Sequence, residues 1–365
     1  MKAFVVDSTG KAGCVDQHRA VPSLQPNQVL VKPTAVALNP TDWRHLAYER
    51  AKPGCIVGCD YAGVVVSAGA EARDTAGNPW KEGDKIFGCA HGSNLVNPDD
   101  GVFAEYAVVT GDIQMRLSEA TEKSISFEGA ATFGLGAITV GQGLFQKSLK
   151  LELPDPSTAA NPPSRDTPVL IYGGSTATGA LGIQYARRAG YTVITTCSPA
   201  NVAYVKSLGA EHTVDYHSPD AGQQIREYTG NRLYHAFDTV SVAQSAHICA
   251  DALSTNVQTK TPVYGSLLPV KFPRSDVQST YTVMHTVFGK AFQFGPTEMP
   301  ASAEDFAFGR KFFALTQALV EKGLIKPHTY RVESGGLDGI ATGLANLQKG
   351  AVKAEKLVYR LADTA

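Results

Sequence analysis

Short apolar runs separated by polar turn residues dominate the first third of the chain. Val29-Leu-Val-Lys-Pro-Thr-Ala-Val-Ala37, Gly63-Val-Val-Val-Ser67, Gly83-Asp-Lys-Ile-Phe87 and Phe103-Ala-Glu-Tyr-Ala-Val-Val109 carry the β-branched and aromatic enrichment of strands. They predict a β-rich region to about residue 125. Helical periodicity begins near residue 126, where Phe127-Glu-Gly-Ala-Ala131 leads into a segment ending near Lys147. A Pro- and Ser-rich stretch from Pro154 to Pro168 reads as a surface loop. Strand and helix patterns then alternate, with strands at Val193–Thr196, Thr213–Asp215, Ala236–Thr239 and Thr261–Tyr264 and a helix around Val202–Leu208. That alternation predicts a parallel sheet with helices on both faces. The tail is mixed, with a helix over Phe308–Lys322, then Thr329-Tyr-Arg-Val332 and a terminal strand Lys356-Leu-Val-Tyr-Arg360. There is no internal repeat.

The most informative stretch is Val169-Leu-Ile-Tyr-Gly-Gly-Ser-Thr-Ala-Thr-Gly179, followed by an amphipathic segment to Gly190 and the apolar run Tyr191-Thr-Val-Ile-Thr-Thr196. This is strand, turn, helix, strand: a βαβ unit with a phosphate-binding turn at its first junction. The glycines let the backbone approach a pyrophosphate, and a helix N-terminus favours its charge. An ordinary strand-to-helix turn has the same local pattern. NAD-binding folds usually carry an acid at the end of the second strand, for the ribose 2′-hydroxyl. Here the chain reads Cys197-Ser-Pro-Ala-Asn201. Ser198 and Asn201 suit a 2′-phosphate, with Lys206 or Arg187 as added charge, so NADPH is the expected cofactor. The same two residues also suit a helix N-cap.

Composition narrows the class. With 33 Lys+Arg against 34 Asp+Glu in 365 residues, the chain is nearly neutral and long enough for two domains. It has no basic stripe for nucleic acid and no apolar run able to span a membrane. Met1-Lys-Ala-Phe-Val-Val6 reads as a strand and not as a signal peptide. Six scattered cysteines, at 14, 55, 59, 89, 197 and 249, fit reduced thiols in a cytoplasmic protein.

Five short motifs in order, Ala37-Leu-Asn-Pro-Thr-Asp42, Gly58-Cys-Asp-Tyr-Ala-Gly-Val64, Gly83-Asp-Lys-Ile86, Phe103-Ala-Glu-Tyr106 and Gly209-Ala-Glu211, resemble the medium-chain dehydrogenase/reductase superfamily. Tyr172-Gly-Gly-Ser-Thr-Ala-Thr178, Thr196-Cys-Ser-Pro199, Asp215-Tyr216 and the Pro-rich insertion resemble, more narrowly, the fungal trans-acting enoyl reductases of polyketide synthases, the lovastatin-pathway reductase among them. The resemblance implies an α/β fold, with a GroES-like β-rich catalytic domain (residues 1–132 and 290–365) and a Rossmann doubly wound cofactor domain (133–289). It implies an NADPH-dependent enoyl reductase that acts on an acyl thioester carried by a polyketide synthase or PKS-NRPS carrier domain, as a monomer. Cofactor contacts are implied at Thr41, Asp42, Trp43, Arg44, Ser175, Thr176, Ala177, Thr178, Ser198, Pro199, Ala200, Asn201, Tyr216, Leu267, Leu268, Val352 and Lys353. The acyl pocket is implied at Thr132, Phe133, Gly134, Leu135, Gly136, Ala137, Ile138 and Thr139, and at Val283, Met284, His285, Thr286 and Val287. The glycines among these leave room for an acyl chain or allow close helix packing. His285 is either an acid or a structural hydrogen-bonding group.

Metal is not expected. The Asn39-Pro-Thr-Asp42 turn lacks the cysteine of the zinc alcohol dehydrogenases, Gly58-Cys59-Asp60 replaces Gly-His-Glu, and no four-cysteine cluster exists. Cys59, Asp60 and His91 form at most an incidental site. Reduction of an activated C=C bond needs no Lewis acid. It needs a positioned cofactor, donors at the enolate oxygen and a proton for the α-carbon. Arg44 stands where the resembled enzymes commonly carry Lys and is the first catalytic candidate, with Thr139 the second. A carrier domain is usually acidic, so Arg44, Arg50 and Lys52, with Arg274 and Lys290 on a second side, are the docking candidates. A quinone or enone reductase, and a non-catalytic crystallin-like protein, are the alternative functions.

Overall fold

The computed structural model describes residues 1–365 as two compact units, one of Met1–Leu135 with His285–Ala365 and one of Gly136–Met284. The junctions thus fall a few residues from the expected 132/133 and 289/290. Two contacts within the first unit explain this. The Leu135 amide donates to Asp60 at 2.6 Å, and the His285 ring packs on His91, with centroids 4.2 Å apart.

In the first unit β1 (Ala3–Val6) pairs antiparallel with β2 (Gly13–Asp16). The long β3 (Gln28–Ala37) pairs with β4 (Asp60–Ala68) on one side, and β5 (Lys85–Cys89) extends that side. On its other side β3 meets β6 (Ala107–Thr110), while β7 (Gln114–Arg116) pairs with β5. The strand expected from Phe103 starts only at Ala107, because the fully buried Phe103 is drawn into the core by its side chain. The expected turn at Asn39–Arg44 is instead the first part of a helix, Pro40–Ala47. Its start signals are Pro40 in the first turn and the Asp42 carboxylate, which accepts from the Asn39 amide at 2.7 Å.

The second unit is one parallel sheet. Its strands are β8 (Pro168–Tyr172), β9 (Thr192–Thr196), β10 (His212–Val214), β11 (His235–Asp238), β12 (Val263–Ser266) and β13 (Gln278–Tyr281). They lie in the order β10-β9-β8-β11-β12-β13. The order reverses between β8 and β11, which is where doubly wound sheets open a ligand crevice at the carboxyl ends of their strands. β8, β9 and β11 are almost wholly buried because both faces are covered. β13 carries no strand signal in the sequence, because Gln-Ser-Thr-Tyr is polar and lies exposed at the sheet edge.

The chain then returns to the first unit through a hairpin of β14 (Phe292–Phe294) and β15 (Thr297–Met299). The following helix, Ala303–Glu321, starts five residues before the expected Phe308, because the Ser302 hydroxyl caps the Asp305 amide at 3.1 Å. β16 (Tyr330–Glu333), a helix Gly336–Gln348 and β17 (Lys356–Arg360) complete the sheet β16-β17-β3-β4-β5-β7, with β6 on β3. Tyr61, Phe103, Leu344 and Tyr359 lie in the core of this unit, and Leu170, Ile194, Ala236 and Tyr264 in that of the other.

Candidate active site

The phosphate turn of the second unit is built from β8 outward. Gly173 has φ +80°, a left-handed conformation that starts the turn. Its amide donates to Thr196 Oγ1 and the Gly174 amide to Thr196 O, both at 2.9 Å, which ties the turn to the end of β9. The helix Ala177–Arg188 is capped by Thr176, whose hydroxyl oxygen accepts from the Gly179 amide at 2.9 Å. Thr239 Oγ1 donates to Tyr172 O at 2.7 Å and therefore accepts the Thr176 proton at 2.9 Å. Thr176 is thus occupied on both counts and shapes the turn. The amides of Ala177 and Thr178, in the first helical turn, have no acceptor within the helix and are free for an anion. Ser175, Thr176, Ala177 and Thr178 are all partly exposed.

At the end of β9 no carboxylate follows. Ser198 is partly exposed, and Asn201 Nδ2 donates to its Oγ at 3.0 Å. The serine oxygen is an acceptor in this bond, so its own proton is not spent on Asn201. Pro199 and Ala200 are exposed. Tyr216 follows β10, with its ring 4.1 Å from that of His217. The Leu267 amide donates to Ser241 Oγ at 2.8 Å, and Ser266 Oγ to Leu268 O at 2.8 Å. Thr139 in this unit is buried, and its hydroxyl has no partner. An unmatched buried hydroxyl is costly, which fits a site completed by a ligand.

In the first unit the helix Pro40–Ala47 presents Thr41, Trp43 and Arg44 as partly exposed residues. The Arg44 guanidinium lies 5.3 Å from the Trp43 ring and has no carboxylate partner. Burial, and more weakly Arg50, lower its pKa. Asp42 corrects the expectation of a cofactor contact through its side chain. Its carboxylate is 2% exposed and is turned inward as a cap, and burial raises its pKa to about 7.

Beneath this helix lies a buried network that the sequence did not signal. Lys356 Nζ donates to Asp60 at 2.5 Å and to Asn39 Oδ1 at 3.0 Å, while Asn39 Nδ2 donates to Asp60 at 2.9 Å. Asp60, where zinc enzymes carry the Glu of Gly-His-Glu, is thus paired with a buried lysine. Gly134 belongs to the same packing. A Cβ there would stand 2.2 Å from Gly88 O and 2.7 Å from Asp60 Oδ1, and one at Gly136 would stand 2.9 Å from Leu181. At both glycines the missing side chain is used by the protein itself. Thr132, Phe133, Ala137 and Ile138 are buried, and Leu135 is partly exposed.

His285 sits in an aromatic cage with His45, His91, Phe292 and Phe294. His45 Nδ1 donates to Thr41 O at 2.8 Å. Burial drives the pKa of His285 well below its usual value, with His91 and His45 adding to the shift. It is a neutral packing group and not an acid near neutral pH. Thr286 and Val287 beside it are buried, as is Met284 of the other unit, and Val283 is partly exposed. Val352 packs on the core of the first unit and Lys353 is exposed. Arg274 corrects a docking expectation. Its guanidinium donates to Ala250 O, Leu253 O and Ser254 O and pairs with Asp276, so it is fully used in its own unit.

No group of three or more His, Cys, Asp or Glu is placed to hold a metal ion, and all six cysteines are free. No helix is long and apolar enough to cross a membrane. A cavity of about 480 Å³, lined by Ile125, Val320, His328 and Tyr330 among others, contains none of the candidate site residues.

Comparison with known proteins accords with this geometry. Residues 25–119 match the alcohol dehydrogenase GroES-like domain and residues 177–269 the zinc-binding dehydrogenase family. A trans-enoyl reductase of Aspergillus sclerotiorum, resD, is 41% identical over 99% of this chain and 100% of its own length. The chain belongs to the trans-enoyl reductases of the medium-chain dehydrogenase/reductase superfamily. Another member, ACTTS2 of Alternaria alternata, is 42% identical over 99% of this chain and 98% of its own. Among solved structures, an alcohol dehydrogenase superfamily protein from Novosphingobium aromaticivorans superposes on this trans-enoyl reductase family member with TM-score 0.78 at 22% identity, covering 99% of each chain. The JamJ enoyl reductase does so with TM-score 0.71 at 16% identity, again over 99% of each. These two likenesses establish the shared fold.

Proposed function

We propose that this trans-enoyl reductase uses NADPH to reduce an α,β-unsaturated acyl thioester presented by the carrier domain of a polyketide synthase or PKS-NRPS, acting as a cytoplasmic monomer and without zinc. The observation that carries the reading is Arg44, a half-buried guanidinium faced by an indole and by no carboxylate. A cation left unpaired in that way suits an oxygen that gains negative charge during reaction. When bound, the nicotinamide supplies the hydride for the β-carbon. Arg44 then holds the thioester oxygen while a proton reaches the α-carbon; the unpartnered Thr139 hydroxyl is a separate donor candidate of the second unit. The Ala177 and Thr178 amides hold the pyrophosphate. NADPH oxidation with crotonyl thioester, compared with a quinone, tests the reading. A protein that turns over only the quinone overturns it.

The cofactor preference rests on Ser198 and its orientation by Asn201. The Ser198→Asp variant should weaken NADPH binding by about 1–3 kcal/mol, because a hydrogen bond is lost and a like charge is added. Dissociation constants for both cofactors check this. NADH binding as tightly as NADPH to the unmutated protein would sink the preference.

Delivery of the substrate draws on basic residues of the first unit, with Arg50 beside Arg44 and Lys290 as a second side. Arg50 stacks over Phe294 at 4.6 Å and Tyr48 at 5.3 Å, and Lys52 and Lys290 are exposed. The Arg50→Ala and Lys52→Ala variants should slow reduction of carrier-bound thioester and spare the small thioester. Added salt should slow the carrier-bound reaction of the unmutated protein more than that of the variants. Equal losses on both substrate forms would remove the docking role.

A further inference from the structure

The strand ends at the switch point converge on one buried carboxylate that none of the site positions above includes. Asp238 closes β11, in register with Tyr172 at the end of β8 and Ser266 at the end of β12. It is fully buried. No cation pairs with it; four neutral donors do. Oδ1 accepts from the Val240 and Ser241 amides, both at 2.9 Å, and Oδ2 accepts from Ser245 Oγ at 2.6 Å and Tyr264 Oη at 2.7 Å. A carboxylate so placed costs desolvation, offset only by a complete donor set, so it rigidly fixes whatever donates to it.

What it fixes is strained. Ser241 has φ +60°, a left-handed conformation unusual outside glycine. The turn persists because it is held three times: its amide on Asp238 Oδ1, its hydroxyl donating to Asp238 O at 3.0 Å, and the same oxygen accepting from the Leu267 amide at 2.8 Å. The residue after Asp238 reaches the other way. Thr239 receives the proton of Thr176, the cap of the phosphate helix. Asp238 therefore stands between the phosphate turn after β8 and the Leu267 loop after β12. The β9 end, with Ser198, lies on the opposite side of β8 in the sheet order.

We propose that Asp238 is a positioning residue of the cofactor site: acting through the strained Ser241 turn, it holds the Leu267 backbone where the nicotinamide half of the dinucleotide binds, and leaves the 2′-phosphoadenosine half to the β9 side. This rests on the reading that the β8 turn binds a dinucleotide across the switch point. It separates the two halves of the ligand by the strands that hold them.

The test uses two ligands and two variants of the full chain. Calorimetric dissociation constants are measured for NADPH and for adenosine 2′,5′-bisphosphate, which lacks the nicotinamide half. Ser241→Ala removes the hydroxyl that joins Asp238 to Leu267. It should weaken NADPH about tenfold and leave adenosine 2′,5′-bisphosphate within about twofold. Asp238→Asn should show the same split with a larger loss. If that protein does not fold, Ser241→Ala decides alone. A loss of similar size for both ligands would mark a merely structural role and overturn the proposal, as would no loss for either. Unmutated protein that binds neither ligand would overturn the dinucleotide reading first, and the positioning role with it.

Discussion

The Arg44→Ala variant should lower kcat/KM for enoyl thioesters by roughly 10²–10³, the scale of removing one donor from a developing oxyanion. The loss should fall on carrier-bound and small thioesters alike, because the proposed role sets Arg44 at the reacting oxygen and not only at the docking partner. Its guanidinium is half-buried and partly desolvated, Trp43 covers one face, and no acid neutralises it. Such a cation gains more from charge that appears in the transition state than a solvated one does. The folded protein gains little from it, since burial opposes its charge. Arg44→Ala should therefore leave the melting temperature nearly unchanged, which separates lost chemistry from lost structure. Arg44→Lys should recover part of the rate, because the charge returns without the planar fork. Steady-state kinetics on crotonyl thioester decide the matter. A decrease of less than threefold would remove Arg44 from the reaction.

Acidification should unfold the protein steeply between pH 6.5 and about 4. His91 and His328 are pushed down to about 3 and His235 to about 4, in each case chiefly by burial. His45 and His285 are lowered as well, for the same reason. These groups are neutral when folded and take up protons near pH 6.5 when unfolded. Their folded pKa values are depressed, so the stability they contribute is complete above pH 6.5 and is lost as pH falls toward 3. Asp42 acts in the opposite sense. Raised to about 7, it holds a proton in the folded state from about pH 4 to 7 that the unfolded state lacks. Against the five lowered histidines it offsets one proton, so unfolding takes up several protons, each worth about 1.4 kcal/mol per pH unit. Two pH units would then consume much of an ordinary domain's stability of about 5–15 kcal/mol. Urea midpoints across this range measure the slope. His285→Phe, which keeps the aromatic cage filled, should make the slope shallower. A midpoint that stays flat from pH 7 to 4.5 would contradict the argument.

Parts of the site were legible for identifiable reasons. The phosphate turn was readable because strand, glycines, cap and helix lie within Val169–Gly190, and Ser198 because the second strand of a βαβ unit is the next element along the chain. Asp238 left a faint signal: an acid closing the apolar run His-Ala-Phe-Asp at the ligand-facing end of a parallel strand. Lys356 left none, since a lysine opening a terminal strand reads as a surface residue. The Pro40–Ala47 helix is legible in Pro40 and the Asn39–Asp42 pair, which are helix-start signals, but its short apolar pattern reads equally as a turn.

The sequence by itself determined the two-part organisation, the parallel sheet, the phosphate turn and the absence of an acid after β9. These follow from periodicity and from motifs whose parts are neighbours in the chain, so local sterics and hydrogen bonding suffice to produce them. Only the tertiary structure decided that Asp60 is paired by Lys356, that three histidines share one cage, that Arg274 is spent and that Asp238 joins three strand ends. Each joins groups far apart in the chain, such as Asp60 and Lys356. Their charge and proton state depend on burial and on partners, and both arise only once the sheets have closed around them.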